Sequence, residues 1–175
     1  MIKFTIIAVL MLLSLSFGDN QMLNINDSAP EFSMLDQNGN SHNLSDFRGK
    51  QFVVLIFYPG DMTPVCTQQL CEIRDDYHAF SDNNAVVFGV NPASDKSHKK
   101  FATKNNLPFP LLIDNKMQTA SKYKCKGAFM NQRTIYVIDK QGTIIYAKRG
   151  KPAVSEILAS IKQTNENDLK IDLNK

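Results

Sequence analysis

Cysteine is scarce in this chain: 175 residues carry three, an odd number placed too sparsely for a disulfide-stapled fold. Glycine and proline are also few, eight and seven, against 43% hydrophobic residues. That composition leaves room for one globular domain with a real core and not for two. There is no strong excess of either charge. The formal net charge is +3, and Lys96, Lys99, Lys100 and Lys104 form the one basic cluster, spaced as the wet face of a single helix, so a nucleic-acid footprint is missing. Histidine occurs three times, at His42, His78 and His98, with none later in the chain. Neither these residues nor the cysteines show zinc-ligand spacing, which implies no metal. No internal repeat is visible.

The longest uncharged apolar run, Phe4 to Phe17, is shorter than the roughly 20 residues that span a bilayer comfortably. It follows the short basic start Met1–Lys3 and ends at Ser16 and Gly18, small residues at −3 and −1 of a cleavage after Gly18. Residues 1–18 therefore read as a secretory signal peptide, and the expectation is export to a periplasmic or extracellular space with no stable membrane span in the mature form. An uncleaved N-terminal anchor is the alternative. In an oxidising compartment, one cysteine pair could form. Cys66 and Cys71 are the natural pair for function, because a bridge five residues apart staples almost nothing.

Residues 19–28 are polar and read as a flexible lead-in to a domain over 29–163. Phe32–Leu35 and the stretch near Leu44 flank Asn38-Gly39, a hairpin signal. Phe52–Phe57 is a continuous apolar run that suits a strand buried on both faces. From Pro64 to Phe80 the apolar positions recur every three or four residues, predicting a helix with proline in its first turn. Strands follow at Ala85–Val90 and Leu111–Ile113, with a Lys-rich helix from Ser94 to Asn105 between them and a short helix near Met117–Lys122 after. Thr134–Ile138 and Thr143–Ala147 read as a hairpin, and Pro152 opens a last helix. Residues 164–175 form a polar tail without a core of its own. Strands alternating with helices predict an α/β fold: a central sheet with helices on both faces and an N-terminal β-hairpin.

The informative window runs from Phe57 to Cys71. Cys66 falls at the start of the helix that follows the buried strand. Free amides and the positive end of the helix dipole stabilise a thiolate there. Thiolate is the reactive form of cysteine, and a cation close by would strengthen the effect.

Pro59, Thr63 and Cys66 match the Pro-x-x-x-Thr-x-x-Cys signature of peroxiredoxins. The stretch from Ala29 to about Lys162 resembles that family throughout, and most of all the peroxiredoxin Q, or bacterioferritin comigratory protein, subgroup. The likeness rests on Phe57-Tyr58-Pro59, on Thr63-Pro64-Val65-Cys66-Thr67, on a second cysteine at Cys71, and on the flanks Leu44–Lys50 and Arg133–Asp139. It implies a thioredoxin-like fold with a mixed sheet. It also implies a cofactor-free thiol peroxidase that reduces hydrogen peroxide and organic hydroperoxides in antioxidant defence.

Carried over by position, Cys66 becomes the peroxidatic cysteine. Thr63 holds the peroxide, Pro59 shields the sulfur, and Arg133 is the cation that orients the incoming oxygen. The backbone amides of Val65 and Cys66 complete the peroxide site. Cys71 becomes the resolving cysteine, condensing with the Cys66 sulfenic acid to a Cys66–Cys71 disulfide. Residues five apart on a regular helix have Cα atoms about 8.6 Å apart, whereas a disulfide tolerates at most about 7 Å. The segment must therefore unwind before the bond closes. Cys125 reads as a buried apolar replacement, with a backup resolving thiol as the alternative.

The resemblance further implies a thioredoxin-like reductant and a monomer. A dithiol–disulfide oxidoreductase resembles Cys-x-x-Cys chemistry, whereas four residues separate Cys66 from Cys71. A thioredoxin-like copper chaperone resembles Cys-x-x-x-Cys with a later histidine, which this chain lacks. A redox-dead interaction protein does not fit the presence of Pro59, Thr63, Cys66 and Arg133 together.

Overall fold

The computed structural model describes residues 21–173; the signal-like segment 1–18 lies outside them. The framework is a five-stranded mixed sheet in the order β5-β4-β3-β6-β7. Its strands are β3 (Phe52–Phe57), β4 (Ala85–Asn91), β5 (Leu111–Ile113), β6 (Thr134–Ile138) and β7 (Ile144–Arg149). β3 is central, parallel to β4 and antiparallel to β6, and all six of its residues are buried. The apolar run contains no outward position because both of its faces are covered. A separate hairpin joins β1 (Ser33–Leu35) to β2 (Ser41–Asn43), turning at Gly39 with a left-handed φ of 86°.

The sheet separates two cores. Phe52, Val54, Ile56 and Tyr58 face a layer made by α1 (Pro64–Asp75), α2 (Tyr77–Asp82), α3 (Asp95–Asn105) and α5 (Val154–Leu173). Val53, Leu55 and Phe57 face the N-terminal hairpin and the short α4 (Gln118–Lys122). Strand alternation decides which residue joins which core. The outcome is the thioredoxin-like α/β arrangement expected from the sequence.

Three expectations change. The helix predicted as one piece from Pro64 to Phe80 is two, broken at Asp76, where φ and ψ reach −101° and 12°. Asp75 and Asp76 place acidic groups at the negative end of the dipole, which ends α1 and lets α2 turn Phe80 into the core. The end of the lead-in and the first domain residue are held to the strand beside them: Asn26 N donates to Ile144 O (2.8 Å), Ile144 N to Asp27 O (2.9 Å), and Ala29 N to Gly142 O (2.9 Å). β7 is an edge strand, and these bonds satisfy backbone groups at its start. The polar tail is largely helical, since α5 continues to Leu173. Val154, Ile157 and Ile161 anchor its first turns in the core, and no proline or glycine follows to stop propagation.

Candidate active site

Tyr58 is the last buried residue beyond β3, and the loop Pro59–Thr63 turns from it into α1. Thr63 is extended (φ −76°, ψ 144°) and Pro64 takes the first helical position, where its missing N–H costs nothing. The Thr63 side chain does not cap the helix. Its hydroxyl turns back to donate to Gly60 O at 3.4 Å, while its carbonyl accepts the first helical bond from Thr67 N at 2.9 Å. Thr63 and Val65 are exposed and Pro59 is half-buried. Cys66, two positions into the helix, is fully buried against Leu70 and Tyr58 in the first core.

Arg133 precedes β6, and pairing of Phe57 with Thr134 brings it to the end of β3 where the loop begins. Its Nη2 donates to Cys66 Sγ at 3.1 Å. Its Nη1 donates to Oε1 of Gln69, which lies one turn beyond Cys66 and is buried. The planar fork is thus held at two points, one on the sulfur and one on the helix carrying it. Gln69 belongs to no motif, and its i+3 spacing from Cys66 on the buried face is the one signal for it in the sequence. A sulfur so placed has a fixed cationic donor and the open end of a helix beside it. This is the arrangement required for nucleophilic attack with charge developing on oxygen.

Cys71 is half-buried on the same helix, and all three cysteines are free thiols. Its Sγ lies 3.9 Å from Asn105 Oδ1, at the C-terminal end of α3. Arg74 binds the same residue, donating from Nη1 to Asn105 O at 2.7 Å. Cys125 belongs to the second core, across the sheet from Cys66. Its thiol donates to Tyr123 O at 3.2 Å, and burial pushes its pKa up to about 11. His98 pairs with Asp61, and His42 pairs with Asp36.

A thioredoxin-like fold with a buried cysteine at a helix start, clasped by arginine, defines a thiol oxidoreductase. The comparisons narrow this. Residues 25–147 match the AhpC/TSA family. The chain is 37% identical to peroxiredoxin Bcp of Bacillus subtilis (strain 168) over 155 residues, covering 82% of this chain and 98% of that one. It is 38% identical to the chloroplastic peroxiredoxin Q of Gentiana triflora over 128 residues, 70% of this chain and 58% of that one. Among solved structures, peroxidoxin BcpB of Mycobacterium tuberculosis superposes with a TM-score of 0.76 at 27% identity, over 81% of this chain and 97% of that one. A cysteine-to-serine mutant of PrxQ from Xylella fastidiosa gives 0.75 at 26% identity, over 83% and 99%. The chain belongs to the AhpC/TSA family, as a peroxiredoxin of the Bcp and peroxiredoxin Q kind, and its activity is that of a thiol-dependent peroxidase.

Proposed function

We propose that Cys66 is the peroxidatic cysteine and Cys71 the resolving one. The Cys66 thiolate attacks the distal oxygen of the peroxide. The S–O bond forms as the O–O bond breaks, leaving Cys66 as sulfenic acid and releasing an alkoxide or hydroxide that takes up a proton. Arg133, Thr63 and the amides of Val65 and Cys66 are the donors assigned to the two oxygens, with Pro59 limiting water at the sulfur. Cys71 then displaces hydroxide from the sulfenic sulfur, which leaves as water once protonated, and the disulfide is returned to two thiols by a thioredoxin-like reductant. The observation that carries this reading is the 3.1 Å contact between the Arg133 guanidinium and Cys66 Sγ.

Stopped-flow mixing of reduced protein with hydrogen peroxide tests it. Second-order consumption far faster than that of free cysteine, abolished in Cys66→Ser, is expected. A rate equal to that of free cysteine rejects the reading.

The N-terminal pattern supports export of the mature chain, with residues 1–18 as the signal and an N-terminal anchor as the alternative. Among the described residues, no helix is long and apolar enough to cross a membrane. The mass of the protein recovered from the exported fraction separates cleavage after Gly18 from retention. The chain is taken to act as a monomer, which sedimentation at micromolar concentration tests.

A further inference from the structure

Asp61 lies in the middle of the loop between Pro59 and Thr63, yet its side chain is only 4% exposed. Side chains from three other places converge on its carboxylate. Oδ1 accepts from the Tyr58 hydroxyl at 2.8 Å and from Asn91 Nδ2 at 3.0 Å, the first beyond the end of β3 and the second at the end of β4. Oδ2 accepts from Ser97 Oγ at 2.6 Å, and His98 Nδ1 lies 3.1 Å from the same oxygen; both belong to the first turn of α3. Asn91 is itself fixed, since its Oδ1 accepts from Ala93 N at 2.6 Å. His98 is fully buried and its Nε2 has no hydrogen-bond partner. Placing the proton on Nδ1, toward the carboxylate, avoids leaving a buried N–H unpaired.

A carboxylate can be removed from water only if its lone pairs are satisfied, and here four side-chain donors do this. Tyr58 remains a donor at every physiological pH, because burial and the neighbouring Asp61 push its phenol well above its ordinary range. The next residue shows what the clasp holds in place. Met62 has a left-handed φ of 61°, an unfavourable conformation for a residue with a side chain. Asp61 on one side and the proline-started helix on the other restrain the chain there. Thr63 follows directly, so the direction of its hydroxyl depends on where Asp61 is pinned.

We propose that Asp61 is a positioning residue for the peroxide reaction: bound by Tyr58, Asn91, Ser97 and His98, it fixes the Pro59–Thr63 loop so that the peroxide-binding donors are aligned on the Cys66 sulfur. The inference rests on the peroxidase reading and adds to it a residue set outside the proline–threonine–cysteine–arginine group. Asp61 acts on the binding of oxygen and leaves sulfur nucleophilicity to Arg133, whose guanidinium is held on Cys66 and Gln69.

The test compares two electrophiles on reduced protein. Hydrogen peroxide needs the aligned donors; iodoacetamide needs the thiolate alone. In Asp61→Asn the peroxide rate constant should fall by about 100-fold, the effect of small misplacement at a reacting centre, while alkylation of Cys66 stays within about threefold of the parent. Ser97→Ala, which keeps the carboxylate and removes one donor, should show the same split at about tenfold or less, and it provides the reading if Asp61→Asn does not fold. A peroxide rate within about threefold of the parent, or peroxide and alkylation rates falling together, overturns the role of Asp61. A parent no faster than free cysteine overturns the peroxidase reading itself, and this inference with it.

Discussion

Arg133 and Cys66 are 67 residues apart in sequence, and the guanidinium of one donates to the sulfur of the other at 3.1 Å. Replacing Arg133 with methionine, which keeps much of the stem volume, should lower the peroxide rate constant by about 100- to 1,000-fold, the cost of losing a charged donor aimed at the reacting atoms. Arg133→Lys restores charge without the fork and should fall between the two. Stopped-flow rates of the three proteins check this ordering; a lysine variant as slow as methionine would assign the effect to geometry alone.

Oxidation should unwind α1. Cys66 and Cys71 sit in one unbroken helix from Pro64 to Asp75, with the second thiol against Asn105. One equivalent of peroxide should therefore produce a Cys66–Cys71 bond together with faster hydrogen exchange at amides 67–71. Asn105→Ala removes the Cys71 contact and should speed disulfide formation a few-fold without altering sulfenic acid formation. An oxidised protein with the bond formed and α1 still fully protected would refute the coupling.

Cys125 should take no part in turnover. It lies across the sheet from Cys66, and burial pushes its thiol up to about 11, so little thiolate exists at neutral pH. In Cys71→Ser treated with peroxide, mass spectrometry should find Cys66 as a trappable sulfenic acid and Cys125 as free thiol. A Cys66–Cys125 disulfide is the contrary result.

Asp61 should make stability depend on acid. Burial alone would raise its pKa. Hydrogen bonds from His98, Ser97 and the Tyr58 hydroxyl outweigh burial and hold it down to about 2. The folded protein thus keeps this carboxylate ionised where the unfolded chain protonates it. The resulting stabilisation is complete above about pH 4 and is lost as pH falls toward 2. Urea unfolding should show parent and Asp61→Asn differing most above pH 4 and converging below it. A difference independent of pH would mean that the charge of Asp61 contributes nothing.

Much of the architecture was legible as a pattern. The apolar run Phe52–Phe57 marked the central strand, and the spacing from Val65 onward marked the helix that presents Cys66. Both signals are local, because strand and helix periods are written in neighbouring residues. The break at Asp76 and the continuation of α5 were missed for the same reason. Where a helix ends depends on what its neighbours bury and on dipole effects weaker than the apolar rhythm. The partners of Asp61 were not legible at all. Ser97 and His98 look like ordinary surface-helix residues until α3 is laid beside the loop, 36 and 37 residues away in sequence.

The sequence alone determined the fold class, the position of Cys66 at a helix start, and the proline–threonine–cysteine motif that marks the site. Those depend on local spacing and on residues close along the chain. Tertiary structure alone decided three further matters: that the Arg133 fork holds Gln69 as well as the sulfur, that Cys125 lies on the wrong face of the sheet, and that a buried carboxylate anchors the loop. Each depends on strand register and on the side of the sheet to which a residue turns, and those are settled only when distant segments exclude water together.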